Sequence, residues 1–269
     1  MKNSINPVKG TRDFYPEDMA VRNWLYNQIR SVSESFGYQE FEGPLLEPIE
    51  LYAAKSGEEL VKEQSFVLTD RGGDELALRP ELTPSLARLV AQRQATLILP
   101  ARWFSFGPFW RYERPQRGRT REFFQWNIDI LGAEIPAADG EIVAIGAEFL
   151  RSLGLTAGEV GVHVNSRRLM ERKLAEIGVR DERRVEVFRL IDRRDRMAAE
   201  KWRTWALDAG LTETQLTALG DLLADASLWQ ESEELRQVFA TAEALGVADY
   251  LTYDASIVRG LDYYTGPVF

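Results

Sequence analysis

The sequence has no cysteine and a single histidine, His163, among its 269 residues. Without cysteine the chain cannot form a disulfide, attack a substrate with a thiolate or bind a metal through sulfur. One histidine argues against a histidine-based catalytic triad and against a metal site built from several imidazoles. We therefore predict no resident metal site, and we expect a structural role for His163.

Long apolar runs and an excess of positive charge are also missing. No apolar run approaches the roughly 20 residues that a membrane-spanning helix needs, and the first ten residues, MKNSINPVKG, lack the apolar core of a signal peptide. We therefore expect no membrane association and a cytoplasmic location. The net charge of -9 does not indicate nucleic-acid binding, so any such contact must come from local basic patches.

The most informative stretch lies between Trp103 and Gly132, where two alternating segments are joined by a cationic loop. Successive side chains on a strand point to opposite faces, so each segment is predicted to be a strand with one apolar and one mixed face. The apolar face carries Phe104, Phe106, Trp110, Tyr112, Phe124, Trp126, Ile128 and Ile130. The mixed face carries Phe109, Arg111, Glu113, Phe123, Gln125, Asn127 and Asp129. If the apolar faces pack on one core, the mixed face borders a cavity.

Two interpretations of the mixed face remain open on alternation alone. Charged side chains opposite an apolar face usually form a solvated surface. The combination of a cation, carboxylates, an amide and aromatic rings instead suits several parts of one extended ligand. Cations in the connecting loop favour a polyphosphate or a nucleic acid. These cations are Arg114, Arg117, Arg119 and Arg121.

The segment FWRYERPQRGRTREFFQ, residues 109–125, resembles the second signature motif of the class II aminoacyl-tRNA synthetases. Together with VRGLDYYTG at residues 258–266, it makes nearly the whole sequence similar to the histidyl-tRNA synthetase family. The resemblance implies an α+β fold with a class II synthetase-like antiparallel sheet, flanked by helices, and a helical insertion domain. It also implies a homodimer, whose interface is built by the first class II motif around Pro44.

The resemblance further implies ATP-dependent activation of L-histidine to histidyl-adenylate and transfer of the histidine to histidine tRNA, with Mg²⁺ accompanying the nucleotide. The implied catalytic residues are Arg111 and Arg259. The implied ATP-binding residues are Arg111, Glu113, Arg119, Arg121 and Phe123. The implied histidine-binding residues are Glu81, Thr83, Gln125, Asp129, Arg259, Tyr263 and Tyr264. We expect these side chains to line one shared chamber.

This chemistry fits the composition. The substrate carboxylate is already ionised at pH 7, so its attack on the α-phosphorus needs no general base. The reaction needs alignment and compensation of the negative charge on the phosphate oxygens. Arginine suits this task because it stays charged and its fork matches phosphate geometry.

Charge divides the second half of the chain. Residues 167–203 contain thirteen Lys or Arg and eight Asp or Glu, whereas residues 207–254 contain one and ten. We predict a catalytic core over residues 1–166, a helical insertion domain over 167–250 and a return to the core over 251–269. Clustered charge usually marks a solvated helix face. The resemblance instead places the insertion over the acceptor arm of tRNA, with its basic half near phosphates.

Turn and cap signals predict several boundaries. Proline and acidic residues after Tyr15 predict a helix that ends at Gly37. Thr83 before Pro84 predicts an N-cap followed by the first helical residue. Further expectations are a hairpin around 71–74, N-caps at Ser166 and Asp181, a capping box at Thr212 and Gln215, and a strand over 256–258.

The third class II motif does not occur before Phe269, which lies in an apolar, strand-like run. We therefore expect a C-terminally truncated synthetase, and the activity of this chain alone stays open. Two alternatives remain. One is a synthetase-like regulatory subunit of ATP phosphoribosyltransferase in histidine biosynthesis, and the other is a noncatalytic dimeric interaction module. The full set of nucleotide-binding residues favours the enzyme, because a sensor does not need it.

Overall fold

The computed structural model describes residues 5–56, 58–259 and 264–269. The chain forms two compact units, Met1–Ala133 and Glu134–Phe269, and each contains helices beside small sheets. The predicted α+β class is confirmed. Within the described ranges, no helix is both long enough and apolar enough to span a membrane.

The first unit begins with a long helix and ends with a long hairpin. Its helices are α1 (Pro16–Ser35), α2 (Glu50–Ser56), α3 (Glu58–Gln64) and α4 (Thr83–Arg93). Its strands are β1 (Gln39–Glu40), β2 (Leu46–Pro48), β3 (Val67–Thr69), β4 (Glu75–Leu78), β5 (Ala101–Trp110) and β6 (Glu122–Leu131). They form two three-stranded sheets, in the orders β1-β5-β6 and β2-β4-β3.

Helix α1 has the predicted bounds. Pro16 occupies its first position, and the Asp18 side chain accepts a hydrogen bond from the Tyr15 backbone N at 3.3 Å. Gly37 follows the helix with φ of 81°, a conformation that glycine adopts without the steric cost of a Cβ. Two short strands, β1 and β2, follow the helix.

Strands β5 and β6 are antiparallel over their whole length, from the pair Ala101 and Leu131 to the pair Trp110 and Glu122. Directly opposed residues of an antiparallel pair share a face of the sheet. Phe104 is opposite Ile128, and Phe109 is opposite Phe123. The register therefore confirms both predicted faces.

The apolar face of this hairpin packs on the amino-terminal part of the unit. The rings of Tyr26 in α1 and Phe106 are stacked with centroids 5.1 Å apart, and Phe14 meets Phe124 edge-on at 5.8 Å. The mixed face of β5 is buried as well, since Phe109 has no exposed surface and Ser105 is 1% exposed. Along β5 the mixed face is therefore not a solvated surface.

The second unit is mostly helical. Its α-helices are α5 (Pro136–Ser152), α6 (Arg167–Glu176), α7 (Asp181–Arg193), α8 (Ala199–Asp208), α9 (Glu213–Ala224) and α10 (Glu233–Ala244). Its strands are β7 (Val162–Ser166), β8 (Leu251–Tyr253) and β9 (Pro267–Val268), in the order β8-β7-β9. Helices α6 to α9 share one apolar core with buried residues such as Leu174, Phe188, Leu190 and Leu219.

Several predicted caps and turns are confirmed. The Ser166 side chain accepts a hydrogen bond from Leu169 N, and Thr212 and Gln215 form a reciprocal capping box. Strands β3 and β4 form the predicted hairpin. Residues 167–250 are largely helical, as expected, but the two compact units divide elsewhere, after Ala133. The boundaries of the insertion domain remain a prediction.

Two predicted N-caps are wrong by one residue. Thr83 is the first residue of α4, because the Leu82 carbonyl already accepts the first helical hydrogen bond from Leu86 N at 3.0 Å. Asp181 is likewise the first residue of α7, and Arg180 is its N-cap. A proline or acidic residue in the first turn does not distinguish these neighbouring positions.

The predicted strand over 256–258 is also wrong. Strand β8 ends at Tyr253, and Asp254 Oδ1 then accepts hydrogen bonds from Ser256 N at 2.9 Å and from Ser256 Oγ at 2.6 Å. Such side-chain bonds to the local backbone favour a turn over a strand. His163 Nδ1 lies 3.0 Å from Asp254 Oδ2, which agrees with its expected structural role.

Candidate active site

The mixed face of β5 and β6 continues into the connecting loop. The Arg111 backbone N donates to Arg121 O at 2.9 Å, so the antiparallel pairing extends one residue beyond the strands. We call the surface that carries Phe109, Arg111, Phe123, Gln125 and Asp129 the Arg111 face. It brings together one implied catalytic arginine, one implied ATP-binding aromatic ring and two implied histidine-binding residues.

An aromatic and cationic stack occupies one end of the Arg111 face. The Phe109 and Phe123 rings are stacked with centroids 6.0 Å apart. The Arg111 guanidinium carbon lies 5.0 Å from the centre of the Phe123 ring, within the range of a cation–π contact. Arg111 Nε also donates to the Pro80 carbonyl at 3.2 Å. The Arg111 guanidinium therefore lies over the Phe123 ring, and the Pro80 carbonyl holds it there.

The cationic loop holds two further groups that the resemblance assigns to ATP. Arg119 Nη1 lies 3.0 Å from Glu113 Oε2, and the Arg119 side chain remains 67% exposed. The tip of the loop turns at Gly118, where Gln116 and Arg119 exchange backbone hydrogen bonds. Two residues that the resemblance assigns to ATP binding, Arg119 and Glu113, therefore form an ion pair with each other.

Arg121 is held differently from Arg119. Its Nε donates to the Glu113 carbonyl at 3.1 Å, and its guanidinium carbon lies 4.3 Å from the Tyr112 ring centre. The backbone N atoms of Arg121 and Glu122 both donate to Gly10 O, at 2.9 and 3.0 Å. Arg121 therefore anchors the returning end of the loop to the amino-terminal segment.

Glu81 and Thr83 lie between β4 and the first turn of α4, in the segment that follows Pro80. Because Pro80 accepts the hydrogen bond from Arg111, this segment is tied to the end of the Arg111 face. A buried network also anchors the first turn of α4, where Ser85 Oγ donates to Glu47 Oε1 at 2.8 Å.

Gln125 and Asp129 lie further along β6. Gln125 is opposite Gly107, so no side chain stands across from it, and Asp129 is opposite Trp103. Burial raises the pKa of Asp129 to about 6, because removal from water disfavours the charged carboxylate. A carboxyl group in this state fits a site that pairs with an imidazole, whose own pKa is near 6.5.

The remaining predicted residues lie in the second unit. Arg259 is exposed and adopts φ of 49°, a left-handed conformation rare for residues with a side chain. Its guanidinium donates to the Phe269 carbonyl, and its own carbonyl accepts from Arg167 Nη1 at 3.3 Å. Tyr264 is partly buried. Tyr263 lies outside the described residues, so nothing tests its assignment.

Two buried residues, one on the Arg111 face and one next to it, were not predicted from the sequence. Arg79 is completely buried beneath Phe109, with its guanidinium carbon 4.5 Å from the ring centre. Ser105 is buried on the same face, opposite Asn127. No pattern of arginine or serine in the sequence distinguishes these buried positions from exposed ones. Across the described ranges, no group of three or more His, Cys, Asp or Glu side chains is arranged to hold a metal ion.

Comparison with known sequences gives a consistent result. A family model described as histidyl-tRNA synthetase matches residues 10–269. The chain is 41% identical to the chloroplastic/mitochondrial histidine–tRNA ligase of Arabidopsis thaliana, covering all of this chain and 57% of that protein. It is 39% identical to the histidine–tRNA ligase of Haloarcula marismortui, covering 97% of this chain and 63% of that protein. The chain therefore spans about three fifths of the length of these curated relatives.

Comparison with solved structures shows the fold. A histidyl-tRNA synthetase from a Nostoc species aligns with a TM-score of 0.85 at 22% identity, covering 99% of this chain and 64% of that one. An ATP phosphoribosyltransferase regulatory subunit/histidyl-tRNA synthetase from Bacillus halodurans aligns with a TM-score of 0.80 at 24% identity, covering 97% and 71%. At these identities the structures support the class II fold alone. The match to the family model over residues 10–269, and the identity to curated relatives, establish that the chain belongs to the histidyl-tRNA synthetase family.

Proposed function

We propose that this chain is part of a histidine–tRNA ligase that activates L-histidine with ATP and transfers it to histidine tRNA. The observation that carries the proposal is the Arg111 face, where a cation, an aromatic ring and histidine-binding candidates follow one another along two paired strands. Family membership supports the same chemistry. Because the chain spans only part of its relatives' length, the activity belongs to the whole protein.

At the nucleotide end, Phe123 stacks on adenine, Glu113 accepts from the adenine amino group and Arg111 holds the α-phosphate. Arg119 and Arg121 contact the outer phosphates. Binding therefore exchanges the exposed Arg119–Glu113 ion pair for contacts with ATP. An ion pair this exposed contributes at most about 1 kcal/mol, so the exchange costs little.

Activation requires no proton acceptor in this proposal. The histidine carboxylate is ionised at neutral pH and attacks the α-phosphorus, while pyrophosphate leaves. Arg111 and Arg259 offset the charge that develops on the phosphate oxygens, and arginine keeps its own charge throughout. Mg²⁺ bound to the nucleotide would neutralise part of its charge.

At the amino-acid end, the ammonium group of histidine meets Glu81 and Gln125, with Thr83 beside them. Arg259 contacts the carboxylate, and Asp129 and Tyr264 pair with the two imidazole nitrogens. Tyr263 completes the set that the resemblance implies. Polar groups of this kind penalise apolar amino acids, because a buried donor or acceptor without a partner costs about 1–3 kcal/mol.

The remaining partners follow from the same proposal. The basic residues of α6 to α8 approach tRNA phosphates, and the protein acts as a homodimer. We place it in the cytoplasm. The name of the Arabidopsis relative instead refers to chloroplasts and mitochondria, so localisation requires its own measurement in the source organism.

The regulatory-subunit alternative shares the fold, as the Bacillus halodurans structure illustrates. A regulatory subunit needs to sense histidine but does not need to hold ATP for reaction. The ordered contact between Arg111 and Phe123 therefore favours the ligase. A noncatalytic interaction module likewise gives no reason for a cation at this ring.

Histidine-dependent exchange of pyrophosphate into ATP tests the proposal in the protein expressed from its full reading frame. We expect exchange with L-histidine and none above background with leucine or phenylalanine, which lack imidazole nitrogens. Addition of histidine tRNA should then give histidyl-tRNA. A folded protein that binds histidine but shows no exchange would identify the regulatory subunit, and one that binds neither substrate would identify the interaction module.

A further inference from the structure

We propose that Arg79 is a positioning residue for ATP, which sets the place of the Phe109–Phe123 ring pair and, through it, of Arg111. The inference rests on the proposed function, because it concerns the same nucleotide site. Arg79 lies between β4 and α4, and its side chain has no exposed surface.

The Nε and Nη1 atoms of Arg79 have hydrogen-bond partners, whereas its buried Nη2 makes no hydrogen bond in the described part of the chain. Its Nε donates to Pro108 O at 3.0 Å, and its Nη1 donates to Gly43 O at 3.1 Å and forms an ion pair with Glu42. Its backbone is bound too, since Trp110 N donates to the Arg79 carbonyl at 3.0 Å. The planar guanidinium thereby bridges the segment before β2 and the end of β5.

These contacts connect Arg79 to the residues at the nucleotide end of the Arg111 face. The guanidinium carbon of Arg79 lies 4.5 Å from the Phe109 ring centre, and Phe109 stacks on Phe123. Arg111 lies 5.0 Å from Phe123 and donates to the carbonyl of Pro80, the residue after Arg79. A displacement of Arg79 therefore moves the ring pair and the hydrogen-bond acceptor of Arg111 together.

Stability alone does not account for a buried arginine here. A fully buried cation loses its hydration, and ion pairing only partly offsets that cost. Its partner Glu42 is 53% exposed, which weakens the attraction further through solvent screening. What arginine supplies is a flat, rigid fork that can stack on a ring and donate in two directions at once, which lysine cannot do.

Gly107 supports the same conclusion. A Cβ atom added at Gly107 would overlap Arg79 Nη2, so the strand leaves room for the guanidinium at this position. Gly107 is also the residue opposite Gln125. Arg79 therefore occupies the space that a side chain on β5 would otherwise fill.

The histidine side of the site has a separate anchor. Ser85 and Arg88 both bind the buried carboxylate of Glu47, with Arg88 Nη2 2.5 Å from Glu47 Oε1. This network holds the first turn of α4 and does not include Phe109 or Phe123. Because the Arg79 side chain contacts the ring pair directly, we expect its replacement to affect ATP binding more than histidine binding.

The test is steady-state pyrophosphate exchange by the full-length protein with Arg79→Lys, Phe109→Leu and the control Arg88→Lys. Arg79→Lys keeps the charge but loses the fork, and Phe109→Leu keeps apolar volume but loses the ring face. We expect both to raise the KM for ATP roughly tenfold, because small misplacements of binding groups are costly, and to leave the KM for histidine within about a factor of two. Arg88→Lys, which alters a similar arginine–glutamate pair, should leave the KM for ATP unchanged.

Melting temperatures separate positioning from a purely structural role. A lower Tm with wild-type KM for ATP in Arg79→Lys would overturn the proposal, as would an equal rise in both KM values. If Arg79→Lys does not fold, Phe109→Leu decides alone: the rise in KM for ATP supports the proposal, and a wild-type value overturns it. Absence of exchange in the wild-type protein would instead remove the proposed function and this inference with it.

Discussion

Asp129 is the residue at which burial has the clearest energetic consequence. Its pKa rises from 3.8 to about 6 because β6 holds the carboxyl group away from water. The folded state therefore binds its proton more tightly than the unfolded state does. This contribution to stability is complete below about pH 3.8 and is lost as the pH rises through about 6.

Replacement of Asp129 by asparagine should remove this dependence on pH. We expect the Asp129→Asn variant to gain stability relative to the wild type between pH 5 and pH 7.5, by about 1.4 kcal/mol, because the wild type is stabilised by its bound proton at pH 5 and has lost that stabilisation at pH 7.5. Urea denaturation at several pH values measures the difference. In the exchange assay, the same variant should raise the KM for histidine far more than the KM for ATP.

Asp225 is a control for the pH dependence, because its pKa is shifted in the opposite direction. Hydrogen bonds from the Ser227 side chain and backbone lower its pKa, so its contribution is present above about pH 4 and is lost only in more acidic solution. Asp225→Asn should therefore show a constant stability difference from pH 5 to pH 7.5. A constant difference for Asp129→Asn as well would contradict the assigned burial.

Some contacts of individual side chains could not be predicted from the sequence. Alternation identified Arg111 and Phe123 on one face, because strand geometry fixes which side chains point together. It gave no sign of Arg79, since the burial of an arginine depends on chain segments that are distant in sequence, such as residues 42–43. The ion pair between Glu113 and Arg119 could not be predicted either, because it depends on the fold of the loop.

The loop between β5 and β6 depends on the amino-terminal segment. Gly10 O accepts from two successive backbone N atoms, those of Arg121 and Glu122. Gly10 has φ of 89°, and an added Cβ would lie 2.8 Å from Arg121 Cγ. The segment can therefore approach the loop this closely only with glycine at position 10.

Gly10→Ala should destabilise the protein and weaken ATP binding, because Arg121 and the two backbone hydrogen bonds must shift. Gly73→Ala is a matched control, since Gly73 also has positive φ, 97°, but nothing lies within 4 Å of the added Cβ. The backbone cost of roughly 1–2 kcal/mol is common to both variants, and steric overlap adds about 1–3 kcal/mol only at Gly10. Urea denaturation and the KM for ATP measure the two effects. Equal losses in the two variants, with no change in KM, would show that the contact with Arg121 has no role.

Sequence signals located elements better than their ends. The hairpin of β5 and β6 follows from alternation, and α1 follows from helical periodicity between Pro16 and Gly37. The predictions of an N-cap at Thr83 and of a strand over 256–258 were wrong, because neighbouring residues form competing local hydrogen bonds there. Leu82 closes the first turn of α4 through its backbone, and Asp254 forms a turn through its side chain.

Across the whole molecule, charge is distributed unevenly despite the net value of -9. The positive excess of residues 167–203 lies on α6, α7 and α8, and the following helices are acidic. Composition revealed this division and the helical character of the region. It could not reveal the division into compact units after Ala133, because that boundary depends on three-dimensional contacts.

The basic helices allow the proposed tRNA contact to be tested apart from the chemistry. Arg189 on α7 and Arg196 after it are both exposed. We expect the double variant Arg189→Gln, Arg196→Gln to raise the KM for tRNA in aminoacylation and to leave pyrophosphate exchange unchanged, because exchange does not involve tRNA. The matched control is Arg236→Gln on the acidic helix α10, which should change neither activity.

The dependence of the KM for tRNA on salt concentration separates a loss of phosphate contacts from a local structural change in the variants. Each phosphate contact that is lost should reduce the slope of log KM for tRNA against log salt concentration by roughly 0.9, because fewer counterions are released on binding. Loss of two contacts should therefore flatten the slope by about 2, and the difference from wild type should be largest at low salt. An unchanged slope would place the tRNA on another surface, and the positive charge of α7 would then be no more than a solvated helix face.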